Sequence, residues 1–394
     1  MIVSFLEHLL LVFLIICSLS LFSLTQALLA QDGGTVAVRL FETYQPKSIG
    51  IEPPFALLSE SSRSKIDIPC TASAKNGRIC LESRKKRDYQ GLGDIQSSVL
   101  AISSQLSIRE VDHKGISLYV DLANPSHRNR KYHGMITLNL HKDGTVNVIN
   151  KVSHRDYVTG VVASESPKDA PYEMLRAQAV LVQTLLARQK GGDLLGDSTQ
   201  SQCYLGASLE TPLTRPAVAS VWGENIYYKD LPINVYYHST CAGGTSNGAK
   251  FFHEKNRNLA YLAEIPCKNC FESPFWKPTI TEISGPLFAK VFGNDLPRII
   301  ESDYTGRPLS IKLANGKTMT GYDFWIRLGQ HFGWDKAPGT RFKLKAAENG
   351  NIIVESTGAG HGVGLCQWGA VGLAKQGKSY KEILRYYFPG CVIH

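Results

Sequence analysis

The chain has 394 residues, of which 43% are hydrophobic and 20% are charged, and this composition excludes an intrinsically disordered protein. Lysine and arginine (43) outnumber aspartate and glutamate (34), which gives a formal net charge of +9. A basic surface of this kind suits a protein that works beside an anionic polymer or a membrane face, and it does not single out nucleic acid.

The N-terminus predicts export. Residues 9–24, LLLVFLIICSLSLFSL, form a run that is short for a membrane-spanning helix but normal for the apolar part of a signal peptide. Ala27 and Ala30 are small enough to permit cleavage, whereas the lack of a basic residue before the run leaves an uncleaved anchor open. We therefore expect residues 1–30 to be a signal peptide or a membrane anchor. The rest of the chain is expected to be exported to the periplasm or cell envelope, either secreted or membrane-anchored.

Export changes how the cysteines are interpreted, because an even number outside the cytosol predicts disulfides. Of the nine cysteines, all but Cys17 follow the apolar run: Cys70, Cys80, Cys203, Cys241, Cys267, Cys270, Cys366 and Cys391. Cys70 and Cys80 flank a short polar loop, which predicts a local bridge. Cys267 and Cys270 have the spacing of half a zinc site, but the sequence holds no second pair of this kind. We expect no metal and no cofactor, with zinc at these two cysteines as the less favoured alternative.

Short strand-like segments dominate the first part of the chain. TVAVRLFETY (residues 35–44) alternates as a strand does, and residues 59–93 are polar and include the basic run RKKR at 84–87, which predicts a solvated loop. GISLYVDL and DYVTGVVA also resemble strands, and GMITLNLHKDGTVNVIN predicts a β-hairpin. We expect residues 31–130 to form a strand-containing N-terminal region with a polar basic loop.

Three helices are predicted further along. Pro171 suits a first helical turn, and apolar residues then recur on one face until about Lys190: Leu175, Ala179, Val182 and Leu186. Near the C-terminus one helix is expected from Gln367 to Gln376, and another from Ser379, where Glu382 completes a capping box. Strands and helices mix without βαβ regularity, so the predicted class is α+β with a helical C-terminus.

The stretch STGAGHGVGLCQWGA (residues 356–370) is the least generic in the chain. The stretch does not match a phosphate-binding loop, because Val363 stands where a dinucleotide fingerprint needs its third glycine and no Walker lysine follows. His361 and Cys366 could form a nucleophile pair. Alternatively, the glycines could admit a ligand close to the backbone, with His361, Gln367 and Trp368 offering sugar-binding chemistry. The simplest alternative is a glycine-rich turn with Trp368 in the core.

Two other stretches also place polar side chains next to a turn or next to the start of a helix. YYHSTCAGGTS places His238 and Ser239 ahead of a Gly243-Gly244 turn. GVVASESPKDAP places Glu165 between an expected buried strand and the helix that begins near Pro171. By itself such a carboxylate is most often a capping or surface residue.

Together these stretches resemble the stage II sporulation protein D family, which includes amidase-enhancer proteins. DYVTGVVASESP…EMLRAQAV, SQCYLG, YHSTCAGGT and GHGVGLCQWGAVGLAKQGKSYKEILRYYFPG occur in the order and spacing of that family, over roughly residues 131–390. The resemblance implies a catalytic core at residues 131–394 that acts as a lytic transglycosylase on peptidoglycan strands already stripped of their stem peptides. It also implies roles in cell-wall remodelling, in division or sporulation, and an amidase that removes the stem peptides as a partner.

The resemblance implies a catalytic role for Glu165. This residue would protonate the glycosidic oxygen and then accept a proton from the muramic acid's own 6-hydroxyl. A group with both tasks works best with a pKa near the working pH, hence in a partly desolvated place. The substrate-binding residues implied are Gln202, Tyr204, His238, Ser239, His361, Gln367 and Trp368. The rival function is a non-catalytic peptidoglycan-binding enhancer of an N-acetylmuramoyl-L-alanine amidase, and a hydrolase built on Cys366 and His361 is a third.

Several positions depart from the family pattern. Gln183 and Leu185 replace a basic and an aromatic residue, Ala359 stands where a tryptophan is common, and Ser166 replaces a methionine. The zinc-binding cluster that some members carry before SQ-Y-G is missing, since only Cys203 occurs there. These departures leave Glu165 in place but remove expected sugar contacts, so an altered substrate preference, weak activity and a mainly binding role are all open.

Overall fold

The computed structural model describes residues 34–58, 63–83, 99–120, 130–189, 193–198, 201–253 and 258–394. The predicted signal or anchor segment (1–30) and the basic run at 84–87 lie outside these residues. No helix in the described part of the chain combines the length and apolar character needed to cross a membrane. The chain divides into two compact units, Met1–Glu165 with Lys190–Arg215, and Ser166–Gln189 with Pro216–His394.

The first unit is built mainly from strands. They are β1 (Thr35–Leu40), β2 (Ser48–Glu52), β3 (Phe55–Leu58), β4 (Arg63–Ile66), β5 (Cys70–Lys75), β6 (Arg78–Ser83), β7 (Val99–Ser103), β8 (Gln105–Glu110), β9 (Ile116–Tyr119), β10 (Arg130–Tyr132), β11 (Met135–Leu140), β12 (Val146–Ser153) and β13 (Leu194–Gly196). One sheet has the order β13-β1-β12-β11-β8-β3-β4 and the other β10-β9-β2-β5-β6-β7. β6 packs against β8 and β11, so the two sheets face each other.

One helix of the first unit, α1 (His154–Glu165), follows β12 directly and packs on β1 and β12. Its first turn is capped by Ser153, whose Oγ accepts a hydrogen bond from the Asp156 N–H at 3.1 Å. The prediction of a strand over DYVTGVVA is therefore wrong. Residues 157–163 are all buried, and a short apolar run that is buried on every side has no periodicity to separate helix from strand.

The second unit combines helices with small sheets. Its helices are α2 (Tyr172–Arg188), α3 (Thr214–Ser220, within which the chain passes from the first unit to the second), α4 (Gly248–Phe251), α5 (Gly285–Phe292), α6 (Gly321–Phe332), α7 (Gln367–Lys375) and α8 (Tyr380–Tyr387). Its strands are β14 (Ile226–Tyr228), β15 (Leu231–Pro232), β16 (Tyr237–His238), β17 (Gly243–Gly244), β18 (Pro266–Cys267), β19 (Thr279–Ile283), β20 (Arg298–Ser302), β21 (Pro308–Lys312), β22 (Thr318–Thr320), β23 (Arg341–Ala346), β24 (Ile352–Thr357), β25 (Leu365–Cys366) and β26 (Val392–Ile393).

These strands form three-stranded sheets β15-β14-β26, β19-β24-β23 and β20-β21-β22, and the pairs β16-β25 and β17-β18. An aromatic core joins α5 and α6 to β23, where the rings of Phe292, Phe324 and Phe342 stack in sequence. α2 packs against both α7 and α8. The unit thereby fixes the C-terminal helices beside the small β16-β25 pair.

Most of the local predictions are confirmed. The hairpin is β11-β12, the helix after Pro171 is α2 with Pro171 as its N-cap, and the C-terminal helices are α7 and α8. A mixed class with a helical C-terminus is therefore correct. The expected boundary near residue 130 does not coincide with the division into units, because β11 and β12 belong to a sheet of the first unit.

The disulfide prediction is wrong for the cysteines that the structure describes, all of which are free thiols. Cys70 and Cys80 lie on neighbouring strands, but Cys70 is opposite Ser83 and Cys80 is opposite Ser73. An odd offset of three residues places the two side chains on opposite faces of the sheet, so they cannot bridge.

The start of α8 offers a test of the capping prediction. Ser379 Oγ accepts from the Glu382 N–H while the Glu382 carboxylate accepts from the Ser379 N–H, so both bonds of the capping box are present. We expect Ser379→Ala to lower the free energy of unfolding by about 1 kcal/mol and Ser379→Gly by only a few tenths. Denaturant unfolding followed by tryptophan fluorescence measures this in the second unit, which contains all five tryptophans. Equal losses in the two variants would contradict the cap.

Candidate functional site

Glu165 is the last residue of α1 and is half-buried. Its Oε1 accepts a hydrogen bond from the backbone N–H of Cys203 at 2.7 Å. One residue earlier, Ser164 Oγ accepts from the Leu205 N–H at 3.0 Å. The SQCYLG segment is thus fastened to the end of α1 by two successive side chains, and it in turn orients the Glu165 carboxyl group.

Tyr204 lies between these two contacts and is 1% exposed. Its ring packs against Tyr157 at 5.1 Å between centroids, and its hydroxyl donates to Asn150 Oδ1 at 2.9 Å. Gln202 is also buried. Tyr204 was predicted to contact substrate, but in this position it serves to hold the SQCYLG segment in place.

Cys203 does not compete with Glu165 as a reactive group. Burial, together with the negative charge of Glu165, raises the pKa of the Cys203 thiol to about 11. The thiol is therefore neutral at ordinary pH and is a poor nucleophile. Of the two groups, only Glu165 is a candidate for proton transfer.

Asp197, a buried carboxylate of the first unit, is engaged in other contacts. It accepts the backbone N–H groups of Phe41 and Glu42, at 2.7 and 3.3 Å, and lies 3.5 Å from the Arg130 guanidinium. These contacts make it a structural group and not a partner carboxylate for Glu165.

In the second unit, two motifs distant in sequence meet at the parallel pair β16-β25. Tyr237 is opposite Leu365 and His238 is opposite Cys366. The backbone of Trp368 continues the contact by donating to Ser239 O at 3.1 Å. The predicted residues His238, Ser239, His361, Gln367 and Trp368 therefore belong to one local assembly.

The glycines of GAGHGVG have a different role from the predicted one. Gly358, Gly360, Gly362 and Gly364 all have positive φ, between 71° and 88°. A Cβ on Gly364 would lie 2.1 Å from Tyr236 O, and one on Gly360 would lie 2.9 Å from His238 Cβ. The prediction that these glycines make room for a ligand is wrong, because the atoms that approach them belong to the chain itself.

His361 is held at both ring nitrogens. The Val363 N–H donates to Nδ1 at 3.1 Å, so Nε2 carries the hydrogen and donates to Tyr237 O at 2.9 Å. Burial lowers the pKa of His361 to about 4. The ring is therefore neutral near pH 7 and orders the loop, with neither nitrogen available to activate Cys366.

His238 and Gln367 each keep a buried polar atom without a partner among the described residues. His238 donates from Nδ1 to Val363 O at 3.1 Å, which leaves Nε2 as an acceptor, and Gln367 Nε2 is a donor. The side chains are 3% and 5% exposed. Burying such groups unsatisfied costs about 1–3 kcal/mol each, which favours a polar ligand or ordered water at this place.

Cys366 is fully buried and burial raises the pKa of its thiol. Its sulfur lies among those of Cys241, Cys267 and Cys270. Both observations contradict the third hypothesis, a hydrolase with Cys366 as nucleophile, since a reactive thiolate needs access and a basic partner.

The sequence analysis missed Arg307 and Asp303. Arg307 is 1% exposed, pairs with Asp303 at 2.9 Å and donates to Thr340 Oγ1 and to Cys241 O. A Cβ on Gly362 would lie 2.5 Å from its guanidinium carbon. No local pattern marks these residues, and only the fold reveals that they order the motif loops.

The first unit contains a cavity of about 650 Å³. It is lined by charged and polar groups that include Arg109, Glu110 and Lys151, and it contains none of the predicted site residues. This cavity therefore gives no support to the candidate site, which is defined by the motif residues.

Comparison with known proteins gives a consistent result. The family model described as "Stage II sporulation protein" matches residues 142–228. Stage II sporulation protein D of Bacillus subtilis (strain 168) is 31% identical over 273 residues, which cover 62% of this chain and 75% of that protein. An uncharacterized protein of Brachyspira hyodysenteriae is 30% identical over 278 residues, covering 66% of this chain and 71% of its own. Stage II sporulation protein D of Bacillus amyloliquefaciens is 28% identical over 269 residues, or 61% and 74% of the two chains.

The neutral histidines predict how stability depends on pH. As pH falls from 6.5 toward 4, the unfolded chain takes up a proton at His361 while the folded unit does not, so folding is weakened. We expect about 2 kcal/mol from His361, and His238, whose pKa burial also lowers, acts in the same direction. Denaturant unfolding at pH 7 and pH 4.5, followed by tryptophan fluorescence, measures the loss.

The matched comparison is His361→Gln against His331→Gln, which changes an exposed histidine. The first variant is expected to lose less stability between the two pH values than the unaltered chain, and the second to behave as the unaltered chain does. An undiminished pH dependence in His361→Gln would show that this ring is not held neutral.

Proposed function

This chain belongs to the stage II sporulation protein D family, and from that premise we propose that it cleaves the glycan strands of peptidoglycan as a lytic transglycosylase, with Glu165 as its general acid and base. The contact that carries the proposal is the 2.7 Å hydrogen bond from the Cys203 N–H to Glu165 Oε1. It joins two motifs of the family and fixes the orientation of the carboxyl group that the chemistry requires.

The reaction needs one carboxyl group used twice. Protonated Glu165 gives its proton to the glycosidic oxygen between N-acetylmuramic acid and N-acetylglucosamine, and the bond from that oxygen to C1 breaks. The 6-hydroxyl of the muramic acid attacks C1 and forms a 1,6-anhydro ring, and its proton returns to Glu165. No water is consumed, so the second carboxylate of an ordinary glycosidase is not required.

The surroundings of Glu165 suit this role. Half-burial at the end of α1 limits water around the carboxyl group, which strengthens proton transfer to a bound substrate. Cys203 is neutral and Asp197 is engaged, so neither supplies a competing base or nucleophile. Separately, and within the second unit alone, His238 Nε2 and Gln367 Nε2 are an acceptor and a donor of the kind that the hydroxyl and acetamido groups of a sugar bind.

We place the activity outside the cytoplasmic membrane, because the apolar run at residues 9–24 has the length of a signal-peptide core and the substrate lies there. An amidase that removes stem peptides would supply the substrate, and the chain would contact the membrane through its N-terminus if that segment is retained. The basic surface, with a net charge of +9, favours contact with the anionic envelope.

The decisive variant is Glu165→Gln, which keeps the size of the side chain and removes its acid–base function. The full-length chain, purified in mild detergent, is incubated with glycan strands free of stem peptides, and the products are analysed by mass spectrometry. We expect strands ending in anhydro-muramic acid, and a loss of about 100-fold or more in their rate of formation in Glu165→Gln. Glu348→Gln, an identical change at an exposed carboxylate, leaves the rate unchanged.

Other products would contradict the proposal in distinguishable ways. Reducing muramic acid ends would show hydrolysis by water in place of transglycosylation. Strands that are retained by the protein but never cut would favour the binding role of an amidase enhancer. Equal activity in Glu165→Gln and the unaltered chain would remove Glu165 from the mechanism.

A further inference from the structure

Four buried cysteines of the second unit converge on one point. The sulfur atoms of Cys241, Cys267, Cys270 and Cys366 all lie within 4.8 Å of one another. We propose that these four thiolates bind a single zinc ion and form a closed, structural metal site. The proposal is independent of the function of Glu165, which lies in the other unit.

The spacing of the sulfurs fits one tetrahedral ion. A zinc–sulfur bond of about 2.3 Å places the sulfurs of a tetrahedral site about 3.8 Å apart. Cys241 Sγ and Cys270 Sγ are 3.6 Å apart. In iron–sulfur clusters the four cysteine ligands are divided between two or more irons, which spreads the sulfurs more widely, so the compact group favours a single ion.

The ligand set is that of a structural zinc site. Cys267 and Cys270 have the C-x₂-C spacing of a zinc-binding turn, and Cys241 and Cys366 complete four soft sulfur ligands. The sequence suggested only the first pair, because the other two cysteines are single and far apart along the chain. The fold brings them together through the β16-β25 pair, which lies next to Cys241 and includes Cys366.

Hydrogen-bond donors surround the sulfurs, as a negatively charged zinc–thiolate group requires. The N–H groups of Cys241 and Gly369 each lie 3.3 Å from Cys366 Sγ. The Tyr387 hydroxyl lies 3.1 Å from Cys267 Sγ. Three donors from three different residues thus lie against two of the sulfurs.

Positive charge is supplied at longer range. Cys366 is the N-cap of α7, so the positive end of that helix faces the cluster. The guanidinium groups of Arg307 and Arg341 donate to the backbone carbonyls of Cys241 and Ala242, at 3.2 and 2.6 Å. Together they offset the net negative charge of four thiolates on one divalent ion.

The packing around the cluster leaves no room for a side chain at two positions of α7. A Cβ on Gly369 would lie 2.1 Å from the Tyr387 hydroxyl and 2.7 Å from Cys267 Sγ. A Cβ on Gly372 would lie 2.1 Å from Asn269 O, inside the C-x₂-C turn. α7 can therefore approach the turn only through its two glycine positions.

The ion would join three segments: the strand end that carries His238 and Ser239, the turn at residues 267–270, and the start of α7 with Gln367 and Trp368. Two of these carry predicted substrate contacts, so the zinc would fix their relative positions. Bound zinc would also protect the four thiols, which an oxidising compartment would otherwise convert to disulfides.

The first test measures metal in the unaltered full-length chain, prepared under reducing conditions with zinc supplied. We expect about one zinc per chain by inductively coupled plasma mass spectrometry. Replacing zinc by Co²⁺ is expected to give the intense visible and near-ultraviolet absorption of cobalt bound tetrahedrally by thiolates. Neither measurement depends on a variant that must fold.

The second test compares Cys270→Ser with Cys391→Ser, which changes a buried cysteine of the same unit outside the cluster. Cys270→Ser is expected to retain at least tenfold less zinc after dialysis against a chelator, and Cys391→Ser to retain as much as the unaltered chain.

Several results would overturn the proposal. They are an unaltered chain that takes up neither zinc nor Co²⁺, peptide mapping that finds the four cysteines in two disulfides, and iron with inorganic sulfide in place of zinc. Equal loss of metal in Cys391→Ser and Cys270→Ser would also overturn it.

Discussion

A buried ion pair, Arg307 with Asp303, is the constraint on which the second unit depends. Burial alone would raise the pKa of Asp303, but Arg307 and the surrounding hydrogen bonds lower it overall, so the pair is charged. Removing either partner would leave an uncompensated buried charge, at a cost of about 3–5 kcal/mol. Because the guanidinium also binds Cys241 O and Thr340 Oγ1, the pair fixes segments that are far apart along the chain.

The shape of the glycine-rich loop follows from that constraint. Gly362 passes so close to Arg307 that any side chain there would collide with the guanidinium, and Gly364 passes equally close to the backbone of Tyr236. The sequence shows that side chains are excluded at these positions, but it does not show what excludes them. An approaching ligand and an approaching piece of the same chain leave the same pattern of glycines, so the structure is needed to tell them apart.

The predictions that succeeded rest on local interactions. α2, the β11-β12 hairpin and the capping box of Ser379 and Glu382 are each encoded within a few neighbouring residues. The predictions that failed depended on distant partners. α1 was mistaken for a strand because burial on every side removes its periodicity, and the expected bridge between Cys70 and Cys80 depended on a strand register that no local signal reveals. Glu165 was found by its motif, whereas its contact with Cys203 required the fold.

The departures from the family pattern change side-chain contacts and leave the course of the backbone in place. Gln183 is buried, donates to Val221 O at 3.0 Å and accepts from the Gly223 N–H at 2.7 Å, so it ties α2 to the turn before β14 and does not face a ligand. Ala359 exchanges two backbone hydrogen bonds with Thr240, at 2.9 and 3.0 Å, and these bonds do not depend on its side chain. The loop can therefore keep its course without the tryptophan that is common there. What the chain loses at Ala359 is an aromatic surface, so under the proposed function we expect weaker binding of sugar by an otherwise intact framework.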